Sequence, residues 1–183
     1  MKGSLMSGSI AEPYAQALMS LARSRDLADR FGEDFRALEQ LLQDSPEFRA
    51  FITNPVIEDG DKKAVLRRIM GDGTDAQLVN FLMLLVDKRR IVFLEQVIAQ
   101  YLTLLREMNE TVLAEVTSAR PLNEQQRRSV EQRVQAISSA RGVELKTQID
   151  PDIIGGVIIK IGSQVLDASL RGQLRRIGMS LNA

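Results

Sequence analysis

The sequence predicts an α+β protein: an amino-terminal six-helix bundle over residues 10–110, followed by a small β-α-β-β-β-α domain over 111–183. Three observations carry that expectation. Apolar residues recur at helical spacing, with short breaks, through the first of these stretches. At Thr111 the period changes from 3.6 to 2, the alternation of a half-buried strand. From Val143 onward the chain reads as strand, hairpin and helix, with no chemical equipment in it.

The first helix is expected over residues 10–24, with Pro13 tolerated in its opening turn, and residues 1–9 as a flexible tail. A second helix carries Leu27, Phe31, Phe35, Leu38 and Leu42 on one stripe. Ser45-Pro46 caps a short third helix with Phe48, Phe51 and Ile52, and Asn54-Pro55 stops it. Asp61 starts a fourth with Val65, Leu66 and Ile69 inward, and Gly71 ends it. Thr74 and Gln77 form a capping-box pattern ahead of a fifth helix over 75–88. The sixth, over 91–109, runs through Leu94, Val97, Ile98, Tyr101, Leu105 and Met108. With no Gly/Ser-rich linker, the domain boundary falls near Met108 to Thr111.

In the second domain Val112, Ala114 and Val116 alternate with Leu113, Glu115 and Thr117, and Pro121 ends the strand. Asn123 and Gln126 cap a helix bearing Val130, Val134 and Ile137. A second strand covers Val143 to Ile149, and Asp150-Pro151 breaks it. Gly155-Gly156 opens the apolar run 157–161, Gly162-Ser163 is a two-residue turn, and 164–167 returns. Leu170, Leu174, Ile177 and Leu181 then recur on a final helix expected to pack on the hairpin.

Composition excludes several kinds of chemistry. The 183 residues contain no cysteine and no histidine, so there is no disulfide, thiolate, imidazole base or imidazole ligand. Aromatic content of 4% makes the core aliphatic. Zero formal net charge argues against a general polyanion binder. The longest apolar run, 78–86, is far short of the ~20 residues of a membrane span, and the opening residues lack the apolar core of a secretory signal. Asp59, Asp61, Asp72 and Asp75 do not follow the spacing of a calcium loop. A strand lies between Gly155-Gly156 and Gly162, which excludes a phosphate loop. The Gly pair fits a bulge or a close backbone approach.

One helix stands out. The polar residues of the first, Glu12, Gln16, Ser20 and Arg23, form a narrow stripe between two apolar ones. Ala11, Ala15, Leu18 and Ala22 make one, and Ile10, Tyr14, Ala17 and Leu21 the other. Central burial in the bundle accounts for both; so does an exposed groove that receives a foreign helix, which the small Ala15 and Ala17 would let approach closely. On the fifth helix Leu84 sits on a polar stripe, one turn after Asn80, either as an ordinary exposed leucine or as part of the same groove. Basic clusters at Lys62-Lys63, Arg67-Arg68, Lys88 to Arg90 and Arg171 to Arg176 read as solvated helix faces. A nucleic-acid adaptor would use them, but no stacking aromatic stands nearby. A hydrolase of carboxylates alone would need a converging acidic pair, and none stands out.

The same residues resemble one family. Leu145, Ile149, Asp150, Ile153, Gly155-Gly156, Val157, Ile159, Lys160 and Gly162 fall on its signature, and Asp167-Ala168-Ser169-Leu170-Arg171-Gly172-Gln173-Leu174 on its closing motif. Glu12-Pro13-Tyr14-Ala15-Gln16-Ala17-Leu18 and the stretch from Asn80-Phe81-Leu82 to Arg90 add two matches in order. The chain is similar to the delta subunit of F-type ATP synthases, the family of the oligomycin-sensitivity-conferring protein. The resemblance implies a non-catalytic stator subunit without cofactor or metal, one copy per complex, that ties the alpha/beta head to the peripheral stalk against rotary torque. It implies that the first and fifth helices grip the amino-terminal helix of an alpha subunit, and the stripes on those helices then make Tyr14, Ala17, Leu21, Asn80, Met83 and Leu84 the expected groove lining. It further implies that the second domain holds b-type stalk subunits, with Gly155, Gly156, Leu170, Arg171 and Leu174 in binding or structural roles and Gly155-Gly156 expected to shape the hairpin. The place implied is an energy-coupling membrane, plasma or thylakoid, on its cytoplasmic or stromal side, with no nucleic acid and no membrane span. The stretches 80–90 and 112–119 are most similar to versions on photosynthetic membranes. With Met1 as the natural start there is no transit peptide, which favours a bacterial-type cell.

Overall fold

The computed structural model describes residues 2–181, with the side chains of 2–9, 176–178, 180 and 181 outside the description. The chain divides into two compact units, Met1–Leu105 and Arg106–Ala183. The division falls inside a helix, earlier than the Met108 to Thr111 boundary read from the sequence. The reason is local: Arg106 lies 3.3 Å from Glu144 and Glu110 lies 3.0 Å from Arg141, so the last helical turn pairs with the second core.

The first unit consists of α1 (Lys2–Ser24), α2 (Ala28–Asp44), α3 (Pro46–Thr53), α4 (Asp59–Met70), α5 (Ala76–Asp87), a 3-10 turn (Ile91–Phe93) and α6 (Leu94–Met108). One aliphatic cluster joins them, with Leu18, Phe31, Phe35, Leu66, Leu82, Leu94, Ile98 and Tyr101 almost fully buried. Phe35 and Tyr101 meet edge to face at 5.0 Å between ring centroids. The Tyr101 hydroxyl donates to Ala28 O at 3.0 Å, and burial pushes its pKa well above the usual range for a phenol. Helix α1 begins at Lys2, so the backbone of 2–9 continues the helix in place of the expected tail. Once the 10–24 stretch has nucleated a helix, extending it backward adds a hydrogen bond per residue at low cost.

The caps separate right expectations from wrong ones. Ser45 Oγ accepts from Phe48 N, and Asn123 with Gln126 closes a reciprocal capping box, both as read from the sequence. At α5 the cap is Asp75, accepting from Gln77 N at 2.8 Å, whereas Thr74 donates back to Met70 O. Aspartate is the stronger cap, and the threonine is recruited by the preceding helix end. On α4 the sequence points Ile69 inward; it is exposed, and Lys62 takes buried space beside Leu66. A lysine stem can cover apolar surface while its ammonium reaches the edge.

In the second unit β1 (Thr111–Ser118), α7 (Glu124–Ser138), β2 (Gly142–Ile149), a 3-10 turn (Pro151–Ile153), β3 (Val157–Ile161), β4 (Gln164–Asp167) and α8 (Leu170–Leu181) follow in order. The sheet order is β2-β1-β3-β4. Strands β1 and β2 are parallel, as a crossover through α7 requires, and the other pairs are antiparallel. Ala114 stands between Leu145 and Ile161 in this register. One face therefore collects Ala114, Val116 and Ile159 against Val130 and Val134 of α7. On the other face Lys160 and Glu115 pair at 2.8 Å, and that bond holds the Glu115 pKa below its usual range. The β3–β4 turn has positive φ at Gly162 only, the pattern of a type II′ hairpin.

Candidate functional site

The two apolar stripes of α1 have different fates. Ala11, Ala15, Leu18 and Ala22 are buried, and Tyr14, Ala17 and Leu21 are left at the surface to varying degrees. The outward stripe runs beside α5, where Phe81 and Leu84 face it. Together with Pro13, Leu18 and Arg90 they line an open groove of about 440 Å³. Tyr14 and Phe81 meet edge on at 6.3 Å between centroids. Arg90 stands over the Tyr14 ring at 5.2 Å and donates to its hydroxyl at 2.6 Å, so one end of an otherwise apolar groove carries a held positive charge.

Of the six residues inferred for this site, Tyr14, Ala17, Leu21 and Leu84 are brought together. Leu84 is 43% exposed although its neighbours Leu82, Leu85 and Val86 are buried. Met83 does not join them. It is only 7% exposed and belongs to the core cluster. An α-helix turns about 100° per residue, so Met83 points away from a groove centred on Phe81 and Leu84. Asn80 is exposed on the outer flank, outside the groove lining. The sequence reading did not name Pro13, Phe81 or Arg90 for this site. The Glu12 to Leu18 and Asn80 to Arg90 motifs contained all three, which was the signal available.

The second unit displays its residues differently. Gly156, at φ +77°, has no room for a Cβ because Ala168 O occupies that space. Leu170 N donates to Gly155 O at 2.9 Å and Ala168 N to Val157 O at 3.0 Å. The Gly pair thus lets the start of β3 touch the start of α8, at the opposite end of β3 from the hairpin it was expected to shape. Asp167 Oδ1 accepts from Ser169 N and Oγ, and Ser169 Oγ accepts from Gly172 N at 3.0 Å. A Cβ on Gly172 would collide with the Asp167 carboxylate. The closing motif is therefore a latch that fastens the first turn of α8.

Beyond the latch, the described residues of α8 make no extensive contact with the hairpin strands. It contacts the 3-10 turn Pro151–Ile153, and its apolar stripe faces solvent: Leu170 is 47% and Leu174 60% exposed, with Arg171 exposed between them. The side chains of Ile177 and Leu181, the rest of that stripe, lie outside the described residues. Ile154, just before the Gly pair, sits at φ +69° and ψ −45° with Gly155 N bonded to Ile153 O at 2.8 Å. This is a γ-turn of the rare positive-φ kind, which costs a β-branched residue about 1–3 kcal/mol. Nothing in the sequence flagged it.

Among the described residues no three acidic side chains gather in a metal-binding group, and no helix is long and apolar enough to cross a membrane. Asp34 carries a buried carboxylate oxygen without a partner, and burial raises its pKa from the ordinary value. It lines a shallow recess with Leu38, Leu41 and Met70. These sites offer apolar surface and fixed charge.

A family model described as ATP synthase delta (OSCP) subunit matches residues 10–181. The chain belongs to that family. It is 65% identical over 181 residues to the ATP synthase subunit delta of Gloeothece citriformis, covering 99% of this chain and 98% of the relative. Against the subunit delta of Trichodesmium erythraeum it is 60% identical over 178 residues, 97% of this chain and 98% of the relative. A chain in the cryo-EM structure of the Toxoplasma gondii mitochondrial ATP synthase hexamer shares the fold, with a TM-score of 0.68 and 23% identity over 94% of this chain and 97% of that one. Delta (OSCP) subunits are structural stator components of F-type ATP synthase, peripheral to the membrane and without catalysis of their own. The absence of histidine and cysteine suits that role.

Proposed function

We propose that the groove between α1 and α5 receives the amino-terminal helix of an alpha subunit, and that the second unit holds the b-type subunits of the peripheral stalk on the cytoplasmic or stromal side of an energy-coupling membrane. One copy would then tie the catalytic head to the stalk and resist rotary torque. The observation that carries the reading is the outward apolar stripe of α1. Ala17 is exposed and Tyr14 and Leu21, packed on the core from one side, are only partly covered; with Phe81 and Leu84 they shape a concavity into which a helix can fit. An amphipathic helix laid in such a groove buries its apolar face and dissociates slowly, as a stator contact requires. Screened surface charge would not serve as well.

The experiment is a titration of the full chain with two synthetic peptides, the amino-terminal helix of the alpha subunit and the carboxyl-terminal helix of the b-type subunit. Ala17→Trp should abolish binding of the first and spare the second. Deleting residues 172–183 should do the reverse. If the deleted protein still bound the stalk peptide with unchanged affinity, the assignment of the second unit would be wrong; equal alpha-peptide binding by Ala17→Trp and wild type would remove the groove.

A further inference from the structure

Among the described residues Lys62 is the only buried charged side chain, at 5% exposed. It stands in the first turn of α4, one turn before the fully buried Leu66. Its neighbour Lys63 pairs with Asp87, but the Lys62 ammonium has no hydrogen bond or ion pair among the described residues. A buried cation in that position has given up hydration that nothing in the chain returns. It is not sealed off either. Among the described residues the only polar side-chain atom closed from water without a partner is an oxygen of Asp34.

The opening lies at the amino-terminal end of α4. Side chains on a helix lean toward its N-terminus, and at that end Lys62 lines a cavity of about 380 Å³. The apolar wall is Val56, Ile57, Ile91 and Val92, of which Val56 is 86% and Val92 43% exposed. Glu58, Asp59 and Arg89 also line the cavity, but all three are exposed, so water and salt screen their charges as they do not screen an enclosed ammonium. The Glu58 side chain makes no capping bond, so it satisfies none of the first-turn amides of α4.

We propose that this cavity binds an aliphatic monocarboxylate, whose carboxylate pairs with the Lys62 ammonium at the N-terminus of α4 and whose hydrocarbon covers Val56, Ile57 and Val92. The negative charge follows from burial, since pairing returns to Lys62 the interaction it lost with water. The single charge follows from Glu58 and Asp59, which oppose a dianion such as phosphate more than a monoanion. The alkyl part follows from the wall, where aliphatic surface stands in water beside the cation. The site shares no residue with the α1–α5 groove and does not rest on the reading of that groove. A free acid and a chain end with an aliphatic last residue both offer this chemistry.

The test titrates octanoate, octanol and inorganic phosphate into the full chain and reads amide shifts by two-dimensional NMR. Octanoate should move the amides of 57–62 and of Ile91 and Val92, while octanol and phosphate should bind at least about 10-fold more weakly. Lys62→Met keeps the stem and removes the charge; it should keep or raise the thermal midpoint and weaken octanoate about 10-fold. Acetyl-leucine stands for a chain end. Tighter binding of acetyl-leucine than of octanoate assigns the site to a chain end and the reverse to a free acid, and each supports a carboxylate site. Equal binding of octanoate and octanol, or unchanged octanoate binding by Lys62→Met, overturns the proposal. Shifts confined to Tyr14, Ala17 and Leu84 also overturn it, since they put the ligand in the α1–α5 groove. Should Lys62→Met fail to fold, the comparison of octanoate with octanol on the wild-type chain still decides.

Discussion

The α1–α5 groove and the exposed end of the second unit both leave apolar side chains uncovered, but by opposite means. The groove is concave, and both of its walls are helices whose other faces are fixed in the main aliphatic cluster. The second unit instead holds residues outward: Leu170 and Leu174 on a helix fastened at one end, and Ile154 on a strained turn. A site walled by core helices is preorganised, so little conformational freedom is lost when a partner enters. A site built on a helix held by one latched turn must order part of itself on binding. The same partner chemistry, an amphipathic helix, should therefore be bound with different sensitivity to mutation in the two places.

The largest effect is expected in the groove. Leu84→Asp should weaken alpha-helix binding by about 3 kcal/mol, since a charge enters an apolar seat without a partner. Folding should be spared because Leu84 is exposed, and unchanged helical circular dichroism with lost peptide binding by calorimetry would establish the contrast. Loss of helicity would instead make Leu84 a core residue and break the comparison.

Next in size is Gly156→Ala. A Cβ there meets Ala168 O at a positive φ, and the cost to the second unit should be about 2–3 kcal/mol. Thermal unfolding should show a lower transition for that unit, while alpha-peptide binding stays unchanged. If groove affinity fell equally, the two regions would not be energetically separate. Leu174→Asp should cost about 1–2 kcal/mol in stalk-peptide binding and almost nothing in stability, because the residue gains little from burial in the free chain.

The sequence made the larger plan legible through local signals. The change of period at Thr111, the Ser45 and Asn123 caps and the Gly162-Ser163 turn all depend on residues within a few positions of one another. Four of the six groove residues were legible for the same reason, since stripes on one helix can be counted. Met83 was not, because whether a residue at the edge of an apolar arc turns inward depends on how widely the neighbouring helices cover α5. The packing of α8 was misread on similar grounds: a periodic apolar stripe states that a surface needs a cover, and not that the same chain provides it. Ile154 was illegible altogether, as its backbone angle is imposed by the β3–α8 contact and nothing in its own residue type announces it.

The smallest predicted effects are electrostatic. Asp34 has a raised folded-state pKa, so the folded state is favoured when the carboxyl is protonated, and that contribution is lost as pH rises through the folded value. Asp34→Asn should therefore raise stability slightly at neutral pH and flatten its acid side, an effect that solvent screening of this partly exposed group keeps small. Glu115 has the opposite sign: its stabilisation is present above the ordinary carboxylate pKa and is lost as pH falls below it. Both partners of that pair are about half exposed, so removing it should change stability by less than about 1 kcal/mol. Denaturant titrations of the single variants at pH 4 and pH 7 check both signs.

The Asp167–Ser169–Gly172 latch has a consequence for the exchange of amide protons with solvent. The amides of Ser169, Gly172 and Gln173 donate to Asp167 and Ser169, and those of Ala168 and Leu170 donate to carbonyls at the start of β3. The two bonds to β3 open only when the start of α8 leaves the sheet, and the other three close the turn that those two anchor, so deuterium uptake at all five should be the slowest in α8. Later amides of α8 answer only to the helix itself, whose stripe has no cover at Leu174, and fraying from the far end exposes them. The boundary in exchange rate should fall just past Gln173, within a single continuous helix. A partner that covers the stripe would move that boundary toward the carboxyl end, turning the extent of slow exchange along α8 into a ruler for how far the partner reaches.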